Sequence, residues 1–214
     1  MELSKEILAK YKKASEVSKK VKAYGKSLAK PGMSYLELSE KIEAKTRELG
    51  AELAFPANIS VNDVAAHYCA SSKDKNVLKK GDLLKLDVGV QVDGYIVDSA
   101  ISVGIATNKH DKMIKTARDA LNNAIKILKP GVKTSEIGAQ IEKTTIDGGF
   151  KVIKNLSGHG VGQYEVHVGY SIPNYDTKGN DKLKKGDVIA IEPFVTNGRG
   201  AIREGPSSGI YELK

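Results

Sequence analysis

The sequence predicts an α+β fold made of two similar halves, in which helices pack on antiparallel strands. Three observations predict it. Apolar residues recur with helical spacing near the N-terminus, a β-hairpin signal stands at Asp93-Gly94, and several blocks of sequence occur twice, about 100 residues apart. A period of this length is too long for a solenoid unit, so it indicates a duplicated half-domain with a pseudo-twofold axis between the halves.

Four helices are expected. The first runs from Leu3 to Leu28, because apolar residues recur there every three or four positions; a coiled-coil arm is the alternative for this stretch. Ser34 and Glu37 form a capping box that opens the second helix, which continues to about Gly50. The later helices are expected from about His110 to Leu128 and from about Thr134 to Ile146.

Strands are expected after the second and the fourth helix and in the hairpin. Phe55 to His67 is typical of a strand followed by a loop, and a further strand is expected near Lys151 to Leu156. The hairpin extends from Leu84 to Gly104. Its turn at Asp93-Gly94 lies between two arms rich in β-branched residues, and a type I′ turn needs positive φ at both central positions.

The hairpin places two carboxylates on one face. With its loop centred at Asp93-Gly94, Asp98 faces Gly89 and Asp87 is the diagonal neighbour of Asp98, while the opposite face is apolar. A polar face in contact with water is the ordinary explanation of such a pair. However, two carboxylates held this close repel each other unless a proton or cation lies between them. The hairpin therefore indicates either a solvated face, a metal site or an acid–base pair.

The duplication rests on three matched blocks that follow the same order in both halves. One match could arise by chance in a lysine-rich chain, but three in order indicate duplication, with a first half of about residues 1–104 and a second of about 105–214. The third block places Glu192 where the first half has Asp87. The pairs are KPGMSYLELSEKIE (30–43) with KPGVKTSEIGAQIE (129–142), NIS (58–60) with NLS (155–157), and LKKGDLLKLD (78–87) with LKKGDVIAIE (183–192).

Composition restricts the class of protein. The 214 residues include one cysteine, which excludes an internal disulfide framework, and no stretch reaches membrane-spanning length, so a cytoplasmic protein without a membrane partner is expected. The net charge is +8, which leaves RNA or ribosome binding open as an alternative function. Base stacking has little support because the chain has no tryptophan, and no DNA partner is expected.

A histidine joins the carboxylates as a candidate ligand. His159 lies in Gly158-His159-Gly160-Val161-Gly162, where the glycines let another group approach the imidazole. A lone histidine is more often structural than a ligand, but Asp87, Asp98 and Glu192 are placed in the same fold by the hairpin and the duplication. Three carboxylates and one imidazole suit a divalent first-row metal, and bridging carboxylates suit a pair of such ions.

These motifs resemble those of methionine aminopeptidases, which have the creatinase-like pita-bread fold. The resemblance covers essentially the whole chain and implies a single catalytic domain, residues 1–214, whose halves are helices on curved antiparallel sheet. The stretches at 54–60, 65–68 and 155–167 resemble the type II, archaeal and eukaryotic branch. The general motifs are Asp87 and Asp98 eleven residues apart, Gly158 to Gly162, and Ile191-Glu192-Pro193-Phe194.

The resemblance implies a metal-dependent hydrolase that removes the initiator methionine from nascent proteins, through attack of a metal-activated water molecule on the first peptide bond. Nascent polypeptide N-termini are the implied partners. Members of the family hold two divalent ions, either Co, Mn, Fe or Zn. The implied metal ligands are Asp87, Asp98, His159 and Glu192. The implied catalytic residues are His67 and His167, which also contact substrate, and Phe55 and Val166 line the methionine pocket.

A fifth family ligand, a bridging glutamate, is expected beyond Lys214 and so outside this sequence. Glu204 follows Glu192 with nearly the spacing of the first pair, but its Gly-Pro-Ser-Ser context is typical of a loop. We therefore expect only one metal ion to be held tightly. The alternatives are an inactive fragment or shortened relative, one part of a split enzyme completed by a C-terminal chain, a non-catalytic pita-bread protein that binds RNA or ribosomes, and a proline dipeptidase.

Overall fold

The computed structural model describes residues 3–205. The chain divides into two compact units, which we call the first half, built mainly from Lys5–His110, and the second half, built mainly from Asp111–Arg203. Each half contains two helices and antiparallel strands, which confirms the α+β class. Within the described range, none of the helices is both long and apolar enough to cross a lipid bilayer.

The first half is one three-stranded sheet covered by two helices. Its strands pair in the order β1-β2-β3, and all pairs are antiparallel. Helix α1 packs on β2 and β3, so the alternative of a coiled-coil arm is wrong. The elements are α1 (Lys5–Leu28), α2 (Tyr35–Glu48), β1 (Glu52–Val61), β2 (Leu83–Val92) and β3 (Tyr95–Gly104).

The predicted hairpin is confirmed in turn and register. Asp93 and Gly94 have φ values of 51° and 81°, as the type I′ turn requires. Asp98 pairs with Gly89. The face that includes Leu84 and Leu86 is fully buried in the core of the first half, so the acids lie on the opposite face.

Helix α2 begins as the capping box predicts. The Ser34 side chain accepts a hydrogen bond from the Glu37 backbone N–H at 3.4 Å. Buried residues recur along α2 at Leu38, Ile42 and Thr46, four apart, so one face of the helix packs on the sheet. The cap therefore sets where the helix starts, and the apolar face sets how it docks.

The second half has shorter strands in two small sheets, of orders β4-β8 and β6-β5-β7. Helix α4 packs on α3, β4 and β6. The predicted strand near Lys151 to Leu156 is wrong in extent, because the pairing that continues through Ile153, whose N–H donates to Phe194, ends at Lys154, whose N–H donates to Gly200 instead. The elements are α3 (Asp111–Lys126), α4 (Thr134–Asp147), β4 (Lys151–Val152), β5 (Ser157–Gly160), β6 (Val168–Pro173), β7 (Ile189–Ala190) and β8 (Val195–Thr196).

The two halves repeat the same backbone hydrogen bonds at the matched blocks. Gly32 donates to Leu78 at 2.8 Å in the first half, and Gly131 donates to Leu183 at 2.7 Å in the second. Isolated bridges join Ser34 to Val77 and Lys133 to Lys182 at corresponding places. The sequence duplication is therefore also a structural one.

Candidate metal centre

In the first half, two rows of residues cross the acidic face of the sheet. The first row is Phe55, Gly89 and Asp98, which pair in that order across β1, β2 and β3. The second row is Asn58, Asp87 and Ala100. Adjacent strands are about 4.8 Å apart, so both carboxylates and the Phe55 ring belong to one small patch of the sheet.

Asn58 is an unexpected member of this patch. Its side chain is 2% exposed, and its Nδ2 donates to the Pro56 carbonyl at 2.8 Å. Within residues 3–205 its Oδ1 has no hydrogen-bond partner. Because the Asp87 carboxylate stands opposite and also accepts rather than donates, a cation is the natural partner for oxygens at this place. The first half therefore fits a metal ion.

The carboxylates of the patch act to raise the pKa values of two nearby groups, Lys22 and Cys69. Burial lowers the pKa of the Lys22 ammonium on α1, and the nearby carboxylates of Asp87 and Asp98 oppose that shift. Burial also raises the pKa of the Cys69 thiol to about 11, with a further contribution from Glu43 and Asp87. Cys69 therefore stays protonated at neutral pH and is not a nucleophile.

In the second half, His159 lies on β5, the central strand of its sheet, and is 9% exposed. Its Nε2 is 3.2 Å from Oε1 of Glu192, which follows β7. Its Nδ1 is 3.0 Å from the Gly160 carbonyl, and since a carbonyl only accepts, Nδ1 carries the proton. This hydrogen bond leaves Nε2, on the side of the Glu192 carboxylate, as the ring nitrogen that would coordinate a metal ion.

The glycines beside His159 are required by the neighbouring backbone. A Cβ on Gly158 would lie under 3.0 Å from the Ala190 carbonyl oxygen of β7, and one on Gly160 equally close to the Val168 oxygen of β6. The sequence predicted that these glycines allow a close approach. The structure shows that the approaching groups are the two adjacent strands, which fix His159 between them.

His167 accompanies His159. The centroids of the two imidazole rings are 4.2 Å apart, with an interplanar angle of 61°. Both rings line an open cleft, together with Asn155, Ser157, Tyr170 and other residues of β5 and β6. Val166 is partly buried just before β6. The second half thus brings His159, His167 and Glu192 into one cluster.

His67 lies in the loop after β1, exposed and with a φ of 63°, a left-handed conformation that is uncommon outside glycine. Its neighbour Tyr68 is fixed on several sides. The Tyr68 carbonyl accepts from Ile59 at 2.8 Å, its N–H donates to the Ser60 hydroxyl at 3.2 Å, and its own hydroxyl donates to Asp74 at 2.7 Å. These bonds hold the backbone that carries His67.

Sequence reasoning did not identify Asn174, which is fully buried. Its Nδ2 donates to the Leu156 carbonyl at 2.9 Å and its Oδ1 accepts from the Phe194 N–H at 3.1 Å. It therefore joins the segment that enters β5 to the segment that follows Glu192. Nothing local in the sequence signals this role, because both of its partners are about 20 residues away. Glu204, by contrast, is exposed and outside the strands.

Residues 9–211 match the model of metallopeptidase family M24. The chain belongs to this family. The methionine aminopeptidase of Pyrococcus abyssi is 48% identical over 199 residues, which are 92% of this chain and 67% of that protein. The methionine aminopeptidase of Saccharolobus solfataricus is 38% identical over 216 residues, covering 100% of this chain and 69% of the relative.

Solved structures of metallopeptidases also match the chain. A methionine aminopeptidase from Thermotoga maritima matches with a TM-score of 0.86 and 28% identity, covering 96% of this chain and 86% of that one. A prolidase from Pyrococcus furiosus matches with a TM-score of 0.76 and 25% identity, covering 91% and 58%. The predicted resemblance and the pita-bread fold are therefore confirmed. This M24 chain is a metal-dependent hydrolase, and the non-catalytic alternative is not favoured.

Proposed function

We propose that the chain is an aminopeptidase that removes N-terminal methionine from polypeptides, with a divalent metal held by Asp87, Asp98, His159 and Glu192. The observation that carries the proposal is the arrangement of His159 in an M24 chain: its Nδ1 is bonded to a carbonyl and its Nε2 is 3.2 Å from Glu192. The relatives of this chain are named methionine aminopeptidases, which supports methionine as the residue removed.

The donor set suits this chemistry. When bound, a divalent metal would lower the pKa of a water molecule, so that a nucleophile able to attack a peptide carbonyl is present near neutral pH. The carboxylates of Asp87 and Asp98 provide negative charge on a small patch of sheet, where burial of the neighbouring Asn58 limits access of water. Rigid neighbours hold the ligands, since β6 and β7 enclose the backbone around His159.

Two histidines are proposed to act on the substrate. His67 and His167 are both exposed, so their ring N–H groups are available to the scissile peptide. A hydrogen bond from either ring to the carbonyl oxygen would strengthen as negative charge develops there. The bonds around Tyr68 hold the backbone that carries His67, and the His167 ring contacts the ring of His159.

The methionine pocket is proposed to include Phe55 and Val166, both of which are partly exposed. The family uses divalent metals, and Co, Mn, Fe and Zn are all compatible with these ligands. We propose that one ion is held tightly. Isothermal titration of the metal-free chain with Mn tests this point, and two tight sites would contradict it.

The central test is methionine release from the tripeptide Met-Ala-Ser by the purified chain, with Mn or Co added. We expect release that requires metal and is lost in an Asp98→Ala variant. Retention of activity in that variant would contradict the assigned ligand set. Failure of the parent chain to release methionine with either metal, and also with Fe and Zn, would contradict the proposed activity.

The proposed partners are the N-termini of nascent polypeptides. Ribosome association, a complementing C-terminal chain and a cytoplasmic location stay predictions from the sequence. A filter-binding assay with ribosomal RNA at increasing salt tests the ribosome prediction. Phosphate contacts would make the affinity fall steeply with salt, and RNA binding without methionine release would favour the non-catalytic alternative.

A further inference from the structure

Gly89 occupies a particular place in the acidic patch. It is buried, and it lies between Phe55 on β1 and Asp98 on β3. Its neighbours Val88 and Val90 point into the core, so a side chain at position 89 would point toward the acids. The space that such a side chain would need is already filled.

The occupant is the Phe55 ring. A Cβ built on Gly89 would lie within 3.0 Å of three ring carbons of Phe55, closer than real Cβ atoms come to any neighbour. The ring therefore rests directly on the backbone of β2. Since adjacent strands are about 4.8 Å apart, it lies about one strand spacing from the strand that carries Asp98.

We propose that Gly89 is a specificity-determining residue of this enzyme. Without a side chain at position 89, the Phe55 ring lies low against the sheet, and the room above it accepts the long, unbranched side chain of methionine beside the metal. This inference rests on the proposed function, but neither the family membership nor the ligand set assigns any role to Gly89.

The inference predicts a specific effect of a single methyl group. In Gly89→Ala, the new Cβ forces the Phe55 ring away from the sheet and into the space for the substrate side chain. We expect kcat/KM for Met-Ala-Ser to fall about tenfold or more, because a mismatch of one methylene group in an apolar pocket changes rates by about 10- to 200-fold. A tripeptide that begins with 2-aminobutyrate, whose side chain is shorter, should lose less.

A second substitution separates this effect from general damage. Phe55→Leu makes room for the alanine Cβ. The double variant Gly89→Ala/Phe55→Leu should therefore bring the ratio of the kcat/KM values for the two tripeptides part of the way back to that of the parent chain. Gly205→Ala is the matched control, since nothing lies within 4 Å of a Cβ at that position. It should leave both kcat/KM values unchanged.

Thermal unfolding of the metal-free variants provides a readout independent of activity. If residues 55 and 89 are in contact, Gly89→Ala lowers the unfolding midpoint and the second substitution relieves part of the loss. Additive midpoints would overturn the contact. A coupled midpoint with an unchanged substrate ratio would overturn the role in specificity and leave a packing contact.

The same variants distinguish failure of this inference from failure of the proposed function. If the parent chain hydrolyses neither tripeptide, binding of L-methionine and of L-2-aminobutyrate to the zinc-loaded parent chain is followed by ligand NMR. Weaker binding of methionine alone in Gly89→Ala would support the inference. Equal changes for the two amino acids, or failure of the parent to bind either, would overturn it.

Discussion

In the first half, β1, β2 and β3 are each 10 residues long, whereas the strands of the second half are 2 to 6 residues long. The same turns and helix starts frame both. The first half uses its long hairpin to place two carboxylates on one face. In the second half, the four-residue strand β5 carries His159 and lies between the strands β6 and β7. The duplication thus kept the same turns and helix starts in both halves, while the strands differ in length and carry different candidate ligands.

Individual carboxylates make equivalent hydrogen bonds in the two halves. Glu43 accepts from the Ala57 N–H at 3.2 Å, and its counterpart Glu142 accepts from the Asp176 N–H at 3.3 Å. In the turn before β2, the Asp82 carboxylate accepts from the Lys79 N–H at 2.7 Å. In the turn before β7, the Asp187 carboxylate accepts from the Lys184 N–H at 2.6 Å. Equivalent positions can therefore be compared by matched substitutions in the two halves.

The largest effect is expected at Asp87 and Glu192, the two proposed metal ligands that are equivalent in the duplication. Asp87→Asn and Glu192→Gln keep the shape of each side chain and remove its charge. Changes in outer-shell partners cost about 10- to 100-fold in affinity, so loss of a charged ligand should cost at least about 100-fold for Mn. Titration calorimetry measures this. A variant that binds as tightly as the parent would remove that residue from the ligand set.

The helix cores offer the next comparison. Ile42 on α2 and Ile141 on α4 are equivalent in the duplication, and both are 0% exposed. Ile42→Ala and Ile141→Ala should each lower the free energy of unfolding by about 3.5 kcal/mol, since each removes a buried side chain and leaves a cavity. Urea unfolding measures the loss. If one variant were nearly neutral, the two cores would not be equivalent.

A smaller effect is expected where the strands differ. Gly158 of β5 corresponds to Val61 of β1, which carries a buried side chain. Gly158→Ala should cost about 2 kcal/mol, because the added Cβ meets the backbone of β7, and it should weaken Mn binding by displacing His159. Val61→Ala should leave Mn affinity unchanged. Equal effects on affinity would show that β5 is not specifically adapted to hold the ligand.

The smallest effect concerns one tyrosine in each half. Burial, followed by its hydrogen bond to Asp187, raises the pKa of Tyr170 to about 12 from an ordinary value of 10.0. Between pH 10 and 12 the unfolded chain therefore loses this proton while the folded chain keeps it, and stability falls as the pH rises. Below pH 10 the contribution is fully present.

In the first half, Tyr68 also donates to a carboxylate, and burial, then the bond to Asp74, raises its pKa. Tyr170→Phe should make the stability loss between pH 10 and 12 shallower than in the parent, and Tyr68→Phe should do so to a smaller extent. Urea unfolding at a series of alkaline pH values measures both slopes. Unchanged slopes would contradict the raised pKa values of the two tyrosines.

Local features were predictable from the sequence and distant ones were not. The turn at Asp93-Gly94, the Ser34 cap and the pairing of Asp98 with Gly89 depend on a few neighbouring residues, so spacing and turn chemistry sufficed. The four proposed metal ligands came from the duplication and the family resemblance. Their electrostatic setting, such as the tautomer of His159, depends on hydrogen bonds that only the structure shows.

Two missed features have the same physical cause. Pairing of β1 with β2 shifts register between Phe55 and Asn58, so alternation along β1 could not place either residue on the acidic face. The end of β4 depends on partners more than 40 residues later, including Gly200, which accepts from Lys154. Propensity within a short window carries no information about such partners.

The packing of the Phe55 ring on Gly89 also constrains the order in which this enzyme can change. A smaller residue at position 55 leaves a gap, which a later alanine at position 89 can fill. The reverse order passes through a clash of the new methyl group with three ring carbons. Laboratory evolution toward other N-terminal residues should therefore reach position 89 only through position 55, and the accessible variants depend on the history of the lineage.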